Sequence, residues 1–297
     1  MARKRGGNFE LPGGLKYFPG LTADDFTHPL DQDALAVLKQ IPVLDQVINF
    51  ITKNTFERYL YLYFVSSSVR INEKMLPRIY EKFKWALKTL DLEASLKQQG
   101  RPEPELYVTQ NPIPNAVTAG TDQTFIVLHS SLIEGFGEKD WLYVIGHELG
   151  HIKAGHVLYL TTAYILLLFL KQIRIPGVEL LQIPLMEWVR KAELTADRAA
   201  ALCTQDEVAC QSLHMRLAGG VRSMFAEMDL DEFLRQVDLY TERNEFVDIL
   251  SKIFLNVERT HPFPIFRAKE LREWMNGFEY ERLLKRGKTS GAAAVNV

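Results

Sequence analysis

Two histidines one helical turn apart, with a glutamate beside the first, are the most chemically loaded feature of the chain. Residues 147–151 read His147-Glu148-Leu149-Gly150-His151. On a helix, positions i and i+4 lie about 40° apart around the axis, so both imidazoles leave one face and can share one cation. Glu148 points about 100° away, beside such a cation rather than onto it, where it can take a proton from a water that the cation activates. The run Trp141-Leu142-Tyr143-Val144-Ile145 that leads in is of the buried helical type. Gly146, Gly150 and Gly155 then stand where a helix should be, each costing up to about 1 kcal/mol relative to alanine. A segment that breaks its own local rule around polar residues is characteristic of a working site.

A catalytic zinc takes three protein ligands and keeps one position open. His156 is near, but on a continuing helix it points about 140° away from His151 and reads as a polar residue at the helix end. Among the acids between His151 and Cys210, Glu193 is the better third candidate. It stands in a stretch from Lys191 to Ala200 rich in small residues, which lets another helix come close. Asp197, one turn on, shares its face and is placed to accept a hydrogen bond from a ligating imidazole, the contact that fixes a histidine tautomer. On spacing alone, the pair equally suits a solvated helix face.

The elements that must hold these groups are mostly helical. Apolar periodicity gives helices at about 140–156, 157–173, 184–203, 206–217, 229–243, 246–256 and 265–285. Upstream, 31–66 is helical with a break at Pro42, and a further helix runs to about Leu90 from Asn72 or, given Pro77, from about Leu76. Between these blocks, Glu105–Gln110, Ala116–Ala119 and Thr124–His129 read as short strands. The class is therefore α+β, mostly α-helical, with one small sheet. Val157 to Leu170 is almost wholly apolar, yet shorter than the roughly 20 residues that cross a bilayer. A buried core helix, a membrane-surface segment and a short span all remain open for it.

Composition narrows the function classes. The chain has 297 residues, 47% hydrophobic, with 35 basic and 37 acidic side chains and a net charge of -2. That excludes whole-chain disorder and argues against a nucleic-acid partner, which asks for a basic excess. Two cysteines, Cys203 and Cys210, make no disulfide framework. The basic start Arg3-Lys4-Arg5 is not followed by an apolar run, so no secretory signal is expected and a cytoplasmic setting is. Membrane association, as a peripheral contact through 157–170, is left open.

With these residues in view, the chain resembles the HtpX-like zinc metallopeptidases, gluzincin-type relatives of the type I CAAX prenyl proteases. Four pieces carry the resemblance in the family's order: Asn115-Ala116 through Gly120, His147–His151, Glu193-Leu194-Thr195-Ala196-Asp197-Arg198, and Thr260-His261-Pro262 with Arg267. The resemblance implies a zincin-like metallopeptidase domain with a small sheet, whose edge strand (Asn115, Ala116, Val117, Thr118, Ala119) binds substrate by β-augmentation. It implies one zinc per chain on His147, His151 and Glu193, with Asp197 behind them. It also implies a zinc-activated water with Glu148 as general base, His261 as a donor to the anionic intermediate, and Arg267 near the substrate. The expected activity is that of a zinc-dependent metalloendopeptidase acting on a peptide or protein. The alternatives are a zinc-binding chaperone or scaffold of peptidase-like fold, and a membrane-associated processing protease. The expected layout is an N-terminal tail and helical arm (1–70) packed on a catalytic domain (71–285), then a tail (286–297). The family's membrane members place two spanning helices between the zinc helix and the glutamate helix; here that interval holds only 157–170 and the Pro176-Gly177 break.

Overall fold

A computed structural model describes residues 14–53, 56–121, 123–169, 175–219, 222–239 and 264–289. The expected helix at 246–256 and His261 lie outside these residues.

The site is organised around a four-stranded sheet of β2 (Ser68–Arg70), β3 (Glu105–Thr109), β4 (Ala116–Ala119) and β5 (Phe125–His129), in the order β2-β3-β5-β4. β3 and β5 run parallel, and the other two pairings are antiparallel. β4 is thus an edge strand. Every residue of β5 is buried, as its unbroken apolar run requires of a strand covered on both faces. Ile126 and Leu128, with Leu106 and Ala116, face one hydrophobic core; Phe125 and Val127, with Tyr107 and Ala119, face a second. The two-residue period of a strand divides the two sets. A separate two-stranded ribbon pairs β1 (Lys16–Tyr17) with β6 (Lys288–Thr289), so the N-terminal segment and the expected C-terminal tail hold each other.

Helices fill both cores. The second core takes α1 (Pro29–Leu38), α2 (Val43–Lys53) and α3 (Phe56–Val65), together with α8 (Val157–Phe169). The first takes α4 (Pro77–Thr89), α5 (Leu92–Gln98) and α6 (Ser130–Gly135), then α7 (Glu138–Lys153), α10 (Glu207–Gly219), α12 (Pro264–Met275) and α13 (Phe278–Arg286). A segment at 230–239, α11, packs with α10 and α12 in a small third cluster. α9 (Gln182–Thr204) crosses from the second core to the first, and every residue from Ala192 to Thr204 is buried.

Several local expectations shift for identifiable reasons. The side-chain oxygen of Asn72 accepts from the amides of Lys74 and Met75 and closes a turn instead of capping a helix. α4 starts at Pro77, after Leu76 at φ 56°. The single helix expected over 265–285 is broken at Gly277, where a Cβ would press on the Trp274 and Glu273 carbonyl oxygens at 3.2 and 3.3 Å. The apolar helix after the histidine motif ends its described part at Phe169, buried in the second core over most of its length but with Leu167 and Leu168 exposed. Among the described residues no single helix is long and apolar enough to cross a membrane.

Candidate metal centre

The glycines that looked out of place on α7 are where α9 presses against it. A Cβ on Gly146 would meet the Cβ and Sγ of Cys203 at 2.9 Å and Ala200 Cα at 3.3 Å. One turn on, a Cβ on Gly150 would meet Ala199 Cβ at 2.5 Å and Ala196 Cα at 3.3 Å. Gly146 and Gly150 thus form a groove on α7, and the small residues of α9 lie in it. Ridge-in-groove contact at this range needs such residues, and the helix propensity they forgo is offset by the approach they allow.

That approach brings three donors together. His147 Nε2 lies 3.4 Å from Glu193 Oε2, and His151 Nε2 lies 3.4 Å from Glu193 Oε1. One ligand atom from each residue falls within 4.8 Å of the others, and all three residues are buried. Tetrahedral zinc with arms of about 2.0–2.1 Å separates neighbouring donors by about 3.3–3.4 Å, and each imidazole Nε2 stands at that distance from one oxygen of Glu193, Oε2 for His147 and Oε1 for His151. The charge of the pocket agrees. Burial works against a charged His147, but Glu193 and Asp197 outweigh it and push its pKa up to about 10. Burial lowers the pKa of the neighbouring His151 instead, so the positive charge that the two carboxylates favour falls at His147, and a divalent cation between the donors would supply it. The donor set therefore fits zinc.

Each imidazole is held from behind. His147 Nδ1 lies 3.0 Å from Asp197 Oδ1. Arg267 donates to Asp197 through Nε (2.7 Å) and Nη2 (2.5 Å), and its Nη1 is 3.1 Å from Glu193 Oε2. Tyr143 donates its hydroxyl to Asp197 Oδ1 at 2.9 Å and lies 3.0 Å from His214 Nε2. Burial would raise the Asp197 carboxyl; the charge and bonds of Arg267 instead hold it well below the usual carboxylate range. Arg267, expected near the substrate, is buried and pairs with Asp197 and Glu193. His151 is backed by His156, whose Nδ1 is 3.0 Å from His151 Nδ1 and whose Nε2 is 3.0 Å from Asp31 Oδ2.

Glu148 lies beside the triad, and its Oε2 accepts the Thr118 hydroxyl at 2.5 Å. Thr118 is in the middle of β4, so the edge strand and the glutamate are tied directly. Thr118, Glu148, His151 and Glu193 line a cleft walled by Leu160, Tyr164 and Val189 among others. Burial, then Glu148 and Glu193, push the Tyr164 phenol well above its ordinary value. Sequence reasoning placed His147, Glu148, His151, Glu193, Asp197 and 116–119 in one region, and they are together here. It missed the Thr118 side chain, Tyr143, Tyr164, His214, and the link from His156 to Asp31. Gly155 was the available signal for that link: at φ 77° it ends the helix, so the angle computed for a continuing helix does not apply to His156.

The family model for peptidase family M48 matches residues 86–275. Plastoglobule-localized metallopeptidase 48, chloroplastic, of Arabidopsis thaliana is 35% identical over 277 residues, covering 91% of this chain and 77% of its own length. No solved structure matches the chain.

Proposed function

The chain belongs to peptidase family M48, a metallopeptidase family, and from that premise we propose that it is a zinc-dependent metalloendopeptidase, with Glu148 as its general base. The observation that carries this reading is the convergence of His147, His151 and Glu193 at donor spacings of 3.4 Å. These residues would hold one zinc ion, which when bound supplies Lewis acidity to a water and to the scissile carbonyl.

The chain's own residues do the rest. Glu148 accepts the proton of the attacking water and returns it to the leaving amine. Thr118 holds one oxygen of that carboxylate at 2.5 Å, so the other serves as the base. Asp197 keeps His147 protonated at Nδ1 and its Nε2 lone pair free for the cation. Arg267, bonded to Asp197 and beside Glu193, neutralises part of the carboxylate charge packed behind the site. β4 has one bonded strand neighbour, so an extended peptide adds to it along Asn115, Ala116, Val117, Thr118 and Ala119. His261 is assigned, on the family pattern alone, to donate to the anionic intermediate.

Residues 1–70 are proposed as an arm packed on a catalytic unit of 71–285, with 286–297 as a tail; the packing of α1 on α9 supports this. A peripheral contact with a lipid surface through the end of α8 is proposed from the exposure of Leu167 and Leu168 and from the plastoglobule location in the relative's name.

The test is cleavage of a protein substrate such as casein by zinc-loaded protein. Glu148→Gln should retain stoichiometric zinc and lose about 10²–10⁴-fold in rate, the usual contribution of a general base. Glu193→Ala should lower zinc content. Unchanged turnover in Glu148→Gln refutes the assignment of the base, and unchanged zinc content in Glu193→Ala points to another third ligand.

A further inference from the structure

On the side away from Glu193, His147 Nδ1 meets the Asp197 carboxylate directly, whereas His151 Nδ1 reaches a carboxylate only through a second imidazole. Gly155, at φ 77°, turns the chain out of α7, and the amide of His156 then bonds the His151 carbonyl at 2.9 Å. That turn folds the His156 ring back onto His151, Nδ1 to Nδ1 at 3.0 Å. The far nitrogen of His156, Nε2, lies 3.0 Å from Asp31 Oδ2. Asp31 is on α1, about 1% exposed, and outside residues 86–275. It also accepts from Trp188 Nε1 at 2.9 Å and from the Thr195 hydroxyl at 2.6 Å. The Thr195 oxygen itself accepts the His28 amide at 3.0 Å, which leaves its proton for Asp31.

Only one arrangement of protons between neutral rings satisfies this row. A carboxylate accepts and does not donate, so His156 carries its proton on Nε2. Its Nδ1 is then bare and must accept from His151, which therefore carries its own proton on Nδ1. The Nε2 of His151 is left with its lone pair toward Glu193, the form in which an imidazole binds a cation. With the His156 proton on Nδ1 instead, the Asp31 contact is lost and His151 is driven to carry its proton on the nitrogen that must bind metal.

We propose that Asp31 is a positioning residue for the metal centre: through His156 it selects the tautomer of His151 that takes the cation. A helix outside the family-matched segment thereby completes the site. The inference rests on the metallopeptidase reading, and the test separates the two.

Full-length protein is stripped of metal, and its zinc affinity is measured by competition with a chromophoric chelator. The wild type should bind one zinc, and His147→Ala should lose it. Asp31→Asn removes the charge and replaces one of the two oxygens that accept from Trp188, Thr195 and His156 with an N–H donor, so the three donors are no longer all satisfied. It should weaken zinc binding about 10–100-fold, the usual effect of removing a group that orients a ligand. In a His156→Phe background, which retains an aromatic ring against Trp188, Asp31→Asn should add no further loss. Wild-type affinity in Asp31→Asn, or an equal loss with and without His156, overturns the proposal while the metallopeptidase reading stands. Absence of zinc binding by the wild type overturns both. Should Asp31→Asn not fold, ¹⁵N-histidine NMR of the zinc-loaded wild type decides. Protonation of His156 at Nε2 and of His151 at Nδ1 is expected, and the reverse for His156 overturns the proposal.

Discussion

Replacing Gly150 with alanine tests whether the contact of α7 with α9 sets the metal site. The added Cβ would stand 2.5 Å from Ala199 Cβ, whereas ordinary contact begins at 3.4 Å. The obstacle is backbone-borne on both sides, so one helix must retreat by about 0.9 Å, the difference between those distances. Two effects then oppose each other in stability. Overpacking costs about 1–3 kcal/mol, while alanine in place of glycine within a helix returns up to about 1 kcal/mol. The net loss is about 0–3 kcal/mol, a few degrees in Tm. The metal site has no such offset. Donor pairs now 3.4 Å apart would open toward 4.3 Å, and two arms of about 2.1 Å cannot span that even in line. Glu193 must leave its rotamer to compensate, at about 0.5–1.5 kcal/mol, and give up its contact with Arg267. Zinc affinity should fall about 10–100-fold while the metal-free Tm moves little. Gly135→Ala, where a Cβ meets nothing within 4 Å, is the control and should leave affinity unchanged. Tight zinc binding by Gly150→Ala, with the Tm shift alone, would show that the helix spacing does not govern the site.

Other consequences are as direct. Thr118→Val removes the hydroxyl that fixes Glu148; kcat/KM should drop about 10–100-fold, as for a lost hydrogen bond to a charged group, with zinc content intact, and an unchanged rate would sever the strand from the base. Burial pushes the His214 pKa down to about 4, against the pull of Asp197. The unfolded chain takes that proton near pH 6.5, so the contribution is complete above 6.5 and drains as pH falls toward 4, by about 3 kcal/mol. In urea titrations of metal-free protein, His214→Gln should lack this part of the acid loss, and parallel curves would refute the cause. Leu168→Asp places a charge on the exposed end of α8; co-sedimentation with lipid vesicles should fall while peptidase activity holds, and undiminished sedimentation would remove α8 from any lipid contact.

What the sequence disclosed was what depends on local periodicity. The i, i+4 spacing of His147 and His151 already implies a shared face, and the alanines around Glu193 already imply a close helix. The apolar run of β5 already implies burial on both sides. What it withheld depends on departures from a period or on distant segments meeting. Gly155 ends a helix that the pattern continues, and so redirects His156 from solvent to His151. Asp31 arrives from the far end of the chain with no local signature beyond its place in the first turn of α1. Thr118 was read for its backbone, because an edge strand suggests peptide binding, yet its side chain does separate work on Glu148. Gly277 divides two helices whose apolar pattern runs on across it.

α9 has a consequence for how the protein loosens. Glu193 lies between Ala192, which belongs to one core, and Ala199, which belongs to the other. A keystone so placed is gripped from both sides of the arch, so partial melting of either half slackens it. Release of the cation should therefore follow the amide exchange of whichever core opens more readily rather than the breathing of any loop, and faults far from the cleft should register first as metal loss.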